Sequence, residues 1–460
     1  MEQGRESRTL LDAALQRLGV WRQLLPFGGR SQGFSEEEVE GLMRACLEGR
    51  GGEVAARTRA AELGLLYLNL PREERIAFLR LLTEGFDLEA DALRAAVAAY
   101  AEEPEVESYL TLRQAAQPSR VEILRRLNSL PDGFRFLVEL RADLLTFLSE
   151  APGLARLDQD LQMLFESWFD VGLLTFSRIT WDSPASLLER IVEYEAVHRI
   201  RSWQDLKNRL DADRRCYAFF HPKMDGDPLI FVEVALTQGI PGEIAPLLDE
   251  DTPSSDPAEA DTAVFYSISN TQAGLRGISF GTFLLKRVTE ALTDELPHLK
   301  RFVTLSPIPG FRRWLFHGSQ AEEDPLRLRA EERERLRPEL EARGATVRDL
   351  LERPDWAHDP ALAQALREPL LDRCADYLLN ERKGERPRDP VARFHISNGA
   401  SLERLSYLGD VSKAGMDGSL GIMANYLYSP GRIERNHESF FRRSEVAASA
   451  EVRRRATQRR

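Results

Sequence analysis

The sequence predicts an α+β chain: an all-helical bundle over residues 1–170, then a mixed-sheet domain over residues 171–460. Three observations predict this. Apolar residues recur at three- and four-residue spacing through the first 170 positions, without an alternating run. Between Trp168 and Trp181 the texture turns to β-formers, as in Val171-Gly-Leu-Leu-Thr-Phe-Ser177. Beyond that point short β-rich runs alternate with helical ones, the pattern of strands covered by helices. A length of 460 residues fits two domains, and 43% hydrophobic residues can fill real cores.

In the first half, Leu10, Leu11, Ala14, Leu15 and Leu18 share one helical face. Ile76, Leu79, Leu82 and Phe86 follow a helix start at Pro71-Arg-Glu-Glu74, with proline and acids in the first turn. Val121, Leu124 and Leu127, then Phe136, Leu137, Leu140, Leu144 and Leu145, continue the pattern. Gly28-Gly29, Gly51-Gly52, Pro131-Asp-Gly133 and Pro152-Gly153 are the breaks. No candidate catalytic residue stands out here, and the expected role is packing and self-association.

In the second half, residues 184–209 read as a helical pair. Cys216–Phe220 and Leu229–Leu236 read as strands joined by the turn-forming Lys223-Met-Asp-Gly-Asp-Pro228. Residues 249–261 are polar and turn-rich. Phe265–Gln272 is β-rich. A glycine turn follows at Arg276-Gly-Ile-Ser-Phe-Gly-Thr282, then a helix with Leu284, Leu285, Val288, Ala291 and Leu292 on one face. Arg301–Leu305 is strand-like and runs into Ser306-Pro-Ile-Pro-Gly-Phe311. Residues 320–370 read as a charged helical insertion in which arginines and glutamates pair along helix faces. Val391–Ile396, Leu402–Leu408 and Ile422–Tyr428 are expected as strands, with a glycine-rich segment at Gly415–Gly421.

Composition excludes several functions. The formal charge is 62 − 74 = −12, which argues against broad nucleic-acid binding. Cys46, Cys216 and Cys374 stand far apart, so neither structural zinc nor a disulfide framework is expected, and a reducing, cytoplasmic setting is. No apolar run approaches the roughly 20 residues of a membrane helix. Glu2, Glu6 and Asp12 interrupt any secretory core at the start.

The glycine turn has a chemical logic. Gly277 and Gly281 allow backbone N–H groups to face a ligand, Thr282 can cap the next helix, and Arg276 adds a cation: a phosphate grip. The same features also describe an ordinary capped helix start. Of seven histidines, His198 is expected in a charged helix, His298 in a turn after Pro297 and His358 in a polar loop, while His317 and His437 carry no partner signal. His221 and His395 each follow an aromatic residue at the end of a strand-like run. Ser306 precedes Pro307, which cannot donate a ladder hydrogen bond, so the strand should end there.

Strand, glycine turn and helix in that order resemble the coenzyme A pyrophosphate loop of the N-acetyltransferase superfamily. A longer series is similar to the malonyl-CoA decarboxylase family. It comprises Phe219-Phe-His-Pro222, Pro228–Leu236, Thr271-Gln-Ala-Gly-Leu275, Leu305-Ser-Pro-Ile-Pro-Gly-Phe311, Phe394-His-Ile-Ser-Asn-Gly399 and Met423-Ala-Asn-Tyr426. The resemblance runs from about Tyr217 to Tyr428 and is weaker in the helical half.

It implies an N-acetyltransferase-like sheet domain that converts malonyl-CoA to acetyl-CoA and carbon dioxide. Ser306 and His395 fall at its catalytic positions. Arg276, Gly277, Ile278, Ser279, Phe280, Gly281 and Thr282 would hold the coenzyme A pyrophosphate, with Asn425 and Tyr426 as further polar contacts. The thioester carbonyl itself accepts the electrons, so neither a metal nor a separate cofactor is expected; coenzyme A is part of the substrate. Self-association through the helical domain is expected, and no nucleic-acid or membrane partner. Two other readings share the phosphate loop: an acyltransferase acting on an amine, and an acyl-CoA sensor without turnover.

Overall fold

The computed structural model describes Trp21 and residues 35–48, 52–169, 171–224, 226–278, 283–317 and 324–457. The chain divides into two compact units. The first takes the chain to Thr175 and adds two excursions from the second half, Phe220–Asp227 and Gln272–Ser279.

Its helices are α1 (Glu36–Glu48), α2 (Gly52–Asn69), α3 (Arg72–Glu84), α4 (Ala90–Glu102), α5 (Val106–Ala115), α6 (Ser119–Asn128), α7 (Gly133–Phe147) and α8 (Ala155–Trp168). The expected stripes face inward: Phe78, Leu79 and Leu82 on α3, Ile123, Leu124 and Leu127 on α6. Helix α7 is the centre, burying Phe134, Phe136, Leu137, Val138, Leu140 and Leu144. The expected apolar face at Leu10–Leu18 lies outside the described residues.

Buried arginines cross-brace this unit. Arg120 lies between Asp87 (2.8 Å) and Asp160 (2.6 Å). Two arginines of α7 hold the excursions. Arg135 pairs with Asp227, and His221 stacks on Phe134 at 4.8 Å. Arg141 is fully buried, binds Asp158 at 2.7 Å, and donates to the carbonyls of Gly274 (2.6 Å) and Arg276 (2.9 Å). Gly274 lies so close to α7 that a Cβ there would sit 1.8 Å from the Val138 carbonyl oxygen.

The second unit is built on a seven-stranded mixed sheet. Its strands are β1 (Thr175–Ile179), β2 (Arg214–Phe220), β3 (Pro228–Thr237), β4 (Thr262–Asn270), β5 (Arg301–Thr304), β8 (Ser401–Ser406) and β9 (Met423–Leu427), in the order β1-β2-β3-β4-β5-β9-β8. A two-residue pair, β6 (Arg382–Lys383) and β7 (Arg386–Pro387), forms a separate hairpin. Helices α9 (Ala185–Tyr194) and α10 (Trp203–Arg209) are the expected pair, and α11 (Ala245–Leu248) is a single turn. Helix α12 (Phe283–Glu295) joins β4 to β5, which run parallel. One sheet face buries Ala235, Val264, Tyr266, Val303, Leu305 and Met423 under Ile244 and Leu247.

The parallel pair is short. Phe265 lies opposite Thr304, and Leu305 N–H donates to the Phe265 carbonyl at 3.1 Å. Past Phe265, β4 continues beside β3, with a bulge where Glu233 and Val234 face Ser267 and Phe265. Strand β5 instead keeps its antiparallel register with β9, from Val303 opposite Leu427 to Ser306 opposite Ala424. The two parallel strands therefore part at this point.

The rest is helical. Helix α13 (Phe311–His317) follows Ser306-Pro-Ile-Pro-Gly310. The charged insertion folds as α14 (Ala330–Arg343), α15 (Val347–Glu352) and α16, which runs on to Asn380 (Pro360–Asn380). Its expected pairs form, Arg337 with Glu334 and Arg343 with Glu339 among them. Exposed pairs of this kind contribute little; the buried Leu336, Leu362, Leu366 and Leu370 anchor the insertion.

One expectation is corrected. Residues Val391–Ile396 are not a strand but lie in helix α17 (Pro390–Ser397), because Asp389 caps it and Pro390 suits its first turn. Most of Gly415–Gly421 lies in helix α18 (Lys413–Ser419), capped by Ser412 and closed by the left-handed Leu420. The chain ends with α19 (Ile433–Arg443) and α20 (Ala450–Thr457). Among the described residues no helix is long and apolar enough to cross a membrane.

The braces on α7 are testable. Gly274→Ala is expected to destabilise the helical unit by about 1–3 kcal/mol through overpacking. Arg141→Met, which strands Asp158 and two carbonyls, should cost about 3–5 kcal/mol. Urea unfolding monitored in this unit measures both; losses under about 0.5 kcal/mol would contradict the bracing role.

Candidate active site

Ser306 sits one residue past Leu305, where the chain has left β4 and follows β9. Ser306 and Ala424 exchange both backbone hydrogen bonds at 2.9 Å. Pro307 has no N–H, so the ladder stops there, as its sequence position predicts. Side chains alternate across a strand. Val303 and Leu305 enter the sheet core, while Thr304 and Ser306 face the other side.

His395 reaches Ser306 from a helix. The Asp389 Oδ1 atom accepts from the N–H groups of Val391 and Ala392, both at 3.0 Å, starting α17. His395 lies on the buried side of that helix, 2% exposed. Its Nε2 is 3.1 Å from Ser306 Oγ, and its Nδ1 is 2.8 Å from Tyr428 Oη. Its ring stacks on Tyr426 with centroids 4.5 Å apart. Tyr428 packs edge-on to Phe265, the last residue of β4 that pairs with β5.

The hydrogen atoms can be assigned in order. Ser306 Oγ donates to Thr304 Oγ1 at 2.9 Å, and the N–H of Tyr426 donates to the same oxygen at 3.1 Å. The Ser306 oxygen then accepts from His395 Nε2–H, which leaves Nδ1 to accept from the Tyr428 hydroxyl. Donation thus runs Tyr428 to His395 to Ser306 to Thr304. Burial lowers the His395 pKa to about 3 and holds the Tyr428 hydroxyl well above its ordinary value. All four groups are neutral near pH 7, with the imidazole hydrogen-bonded between two hydroxyls.

Thr304 and Tyr428 were not singled out from the sequence. The signal is their spacing: each lies two residues from a candidate, Thr304 before Ser306 and Tyr428 after Tyr426, so each shares its face.

The other expected residues are distributed. Asn425 is fully buried on the opposite face from Tyr426. Its Nδ2 donates to the Thr304 carbonyl at 2.9 Å, and its Oδ1 accepts from Ser406 Oγ (2.8 Å) and Arg404 Nε (3.2 Å). Asn425 thereby ties three strands together. Arg276, Gly277 and Ile278 belong to the first unit, next to the carbonyls held by Arg141. Gly277 has φ +86°, a conformation suited to glycine, the Arg276 side chain is exposed, and Ile278 is buried. Ser279, Phe280, Gly281 and Thr282 lie outside the described residues.

The depressed pKa of His395 makes a prediction. Its ordinary value is 6.5 and its folded value about 3. Between these values the unfolded chain takes up a proton that the folded chain refuses. Stability present above pH 6.5 should be lost as pH falls towards 3. One such group contributes a slope of up to about 1.4 kcal/mol per pH unit. Denaturation of the wild type and His395→Gln from pH 4 to 7 should show a flatter dependence in the variant; equal slopes would refute it.

Comparisons with known proteins identify the family. The family described as "Malonyl-CoA decarboxylase C-terminal domain" matches residues 172–460, and the corresponding N-terminal domain family matches residues 86–169. The chain is 38% identical over 352 residues to "Malonyl-CoA decarboxylase, mitochondrial" of Rattus norvegicus, covering 74% of this chain and 72% of the relative. The crystal structure of malonyl-CoA decarboxylase from Rhodopseudomonas palustris superposes with a TM-score of 0.84 at 44% identity, covering 92% of this chain and 100% of that one. That from Agrobacterium vitis gives 0.82 at 45% identity, covering 91% and 99%. The chain belongs to the malonyl-CoA decarboxylase family.

Proposed function

We propose that this chain decarboxylates malonyl-CoA to acetyl-CoA, with Ser306 and His395 delivering a proton to the thioester enolate. The observation that carries this reading is the buried 3.1 Å contact between Ser306 Oγ and His395 Nε2, backed by Tyr428. In the reaction the bond between the α-carbon and the carboxylate breaks. Carbon dioxide leaves, and the electron pair moves onto the thioester oxygen as an enolate. Donors aimed at that oxygen lower the barrier. Backbone N–H groups of β4, where it parts from β5, are the candidates.

The α-carbon then takes the Ser306 proton. His395 Nε2–H replaces it on the serine oxygen, and the relay recovers one proton from solvent before the next turnover. A neutral donor suffices because a thioester enolate is a stronger base than an alkoxide. The thioester is its own electron sink, so this reading calls for no metal or separate cofactor. The Arg276–Thr282 turn is the proposed grip on the coenzyme A pyrophosphate. Cys46, Cys216 and Cys374 are buried free thiols, which suits a reducing compartment such as the cytoplasm.

We further propose that the chain self-associates through α4 and α5. Helix α5 buries no residue and α4 buries only Ala96. Val97, Tyr100, Val106, Tyr109 and Leu110 are exposed on the pair. Helices this short are marginal without packing, and a two-helix hairpin is half of a four-helix bundle that a second copy completes.

Two measurements follow. Carbon dioxide release from malonyl-CoA, with nothing added, should be seen in the wild type and fall about 10²- to 10⁴-fold in Ser306→Ala and His395→Asn, with substrate binding retained. Full activity in either variant would refute their roles. In sedimentation analysis the wild type should run as an oligomer and the Tyr100→Glu/Tyr109→Glu variant as a smaller species; an unchanged wild-type-like oligomer would refute the hairpin as the interface.

A further inference from the structure

We propose that Asp389 is a positioning residue for the Ser306–His395 pair: it ties the first turn of α17 to the turn that follows Ser306. The proposal deepens the decarboxylase reading and rests on it for its kinetic test.

Asp389 is 1% exposed. Capping α17 occupies Oδ1 alone. Burial raises the Asp389 pKa above the ordinary carboxylate value, with the nearby backbone N–H of Gly310 among the groups that hold it down, and Oδ2 accepts from Tyr377 Oη at 3.4 Å. Gly310 ends the turn that begins at Ser306, and His395 lies on the helix that Asp389 starts. One carboxylate thus bridges the two segments that carry the two reacting side chains. A surface cap needs no such burial. Taking a carboxyl group out of water is costly unless its oxygens are satisfied, and here two backbone N–H groups and a phenol donate to it.

The third member is Tyr377 of α16. Its ring lies 5.9 Å from Phe311 and 5.1 Å from Trp314, so its hydroxyl has little room to move. A Cβ at residue 310 would come within 2.2 Å of Tyr377 Oη and 3.4 Å of Asp389 Oδ2. Glycine is required there for close approach, not for a turn. The carboxylate, the glycine and the phenol form one packed contact that sets the register of helix against turn. A displacement of about 1 Å between reacting groups lowers rates about 100-fold.

The test uses the full-length chain and carbon dioxide release from malonyl-CoA. Asp389→Ser keeps a capping oxygen but cannot span to Gly310. It should lose about 100-fold in kcat with KM little changed. Gly310→Ala should show a similar loss. Adding Tyr377→Phe removes the oxygen that the new methyl strikes, and should restore kcat by about tenfold or more. General weakening of the fold would give no such rescue.

Asp389→Ser within about twofold of wild type overturns the proposal, as does a Gly310→Ala defect indifferent to Tyr377→Phe. If Asp389→Ser does not fold, the Gly310/Tyr377 pair decides alone. The ¹⁵N shifts of the His395 ring give a readout without turnover: they should change in Asp389→Ser and in Gly310→Ala. A wild type that releases no carbon dioxide defeats the decarboxylase reading, and the ring shifts then judge the positioning claim, unchanged shifts overturning it.

Discussion

The contact between the Ser306 hydroxyl and the His395 imidazole joins two side chains 89 residues apart in sequence, inside the protein. It depends on a change of neighbour. Strand β5 begins beside β4 and ends beside β9, and Ser306 is the residue at which the second partnership outlasts the first. Had β5 stayed with β4, residue 306 would have been one more ladder position. Because β9 carries it instead, the same strand that holds Ser306 by its backbone also brings Tyr426 and Tyr428 to the histidine. Asn425, pointing the other way, locks β9 to the Thr304 carbonyl and to β8. Strand β9 therefore supplies the frame and, one residue past its end, the Tyr428 hydroxyl that starts the polar chain.

The chemistry of the site follows from its burial. In water an imidazole is a convenient acid near neutral pH. Removed from water, this one refuses a second proton, and so do its hydroxyl neighbours refuse to lose theirs. What remains is an ordered row of neutral donors and acceptors in which every hydrogen has one place to go. On the reading proposed above, such a row would pass a proton along without creating a lasting charge in a poorly solvated space.

Much of this was readable beforehand. The helical first half follows from period alone, because its stripes are long and uninterrupted. The strand before Ser306 is marked by Arg301–Leu305 and ended by Pro307, a local rule that tertiary structure respects. His395 was the harder residue. Phe394-His-Ile396 has the composition of a strand, yet it is helical because Asp389-Pro390 upstream is a strong helix start. The cap outweighs the β-preference of three residues, and Asp-Pro ahead of the motif was the clue. Thr304 and Tyr428 were hidden for another reason: neither residue type is distinctive, and only the pairing of β5 with β9 brings them together. The excursions held by Arg135 and Arg141 could not be read at all, since nothing local in Gln272–Ser279 says that its carbonyls answer to a helix more than 120 residues earlier.

That last feature bears on where the molecule can be divided. The two matched families meet between residues 169 and 172, which invites cutting the gene there to obtain a minimal enzyme. The Arg141 guanidinium argues against it. Without α7, the carbonyls of Gly274 and Arg276 lose their donor, and the surface against which Gly274 is flattened disappears. The truncated product would retain the residues of the sheet and of the Ser306–His395 contact but inherit an unmoored stretch just ahead of the glycine turn. In this protein the natural seam in sequence is not a seam in three dimensions.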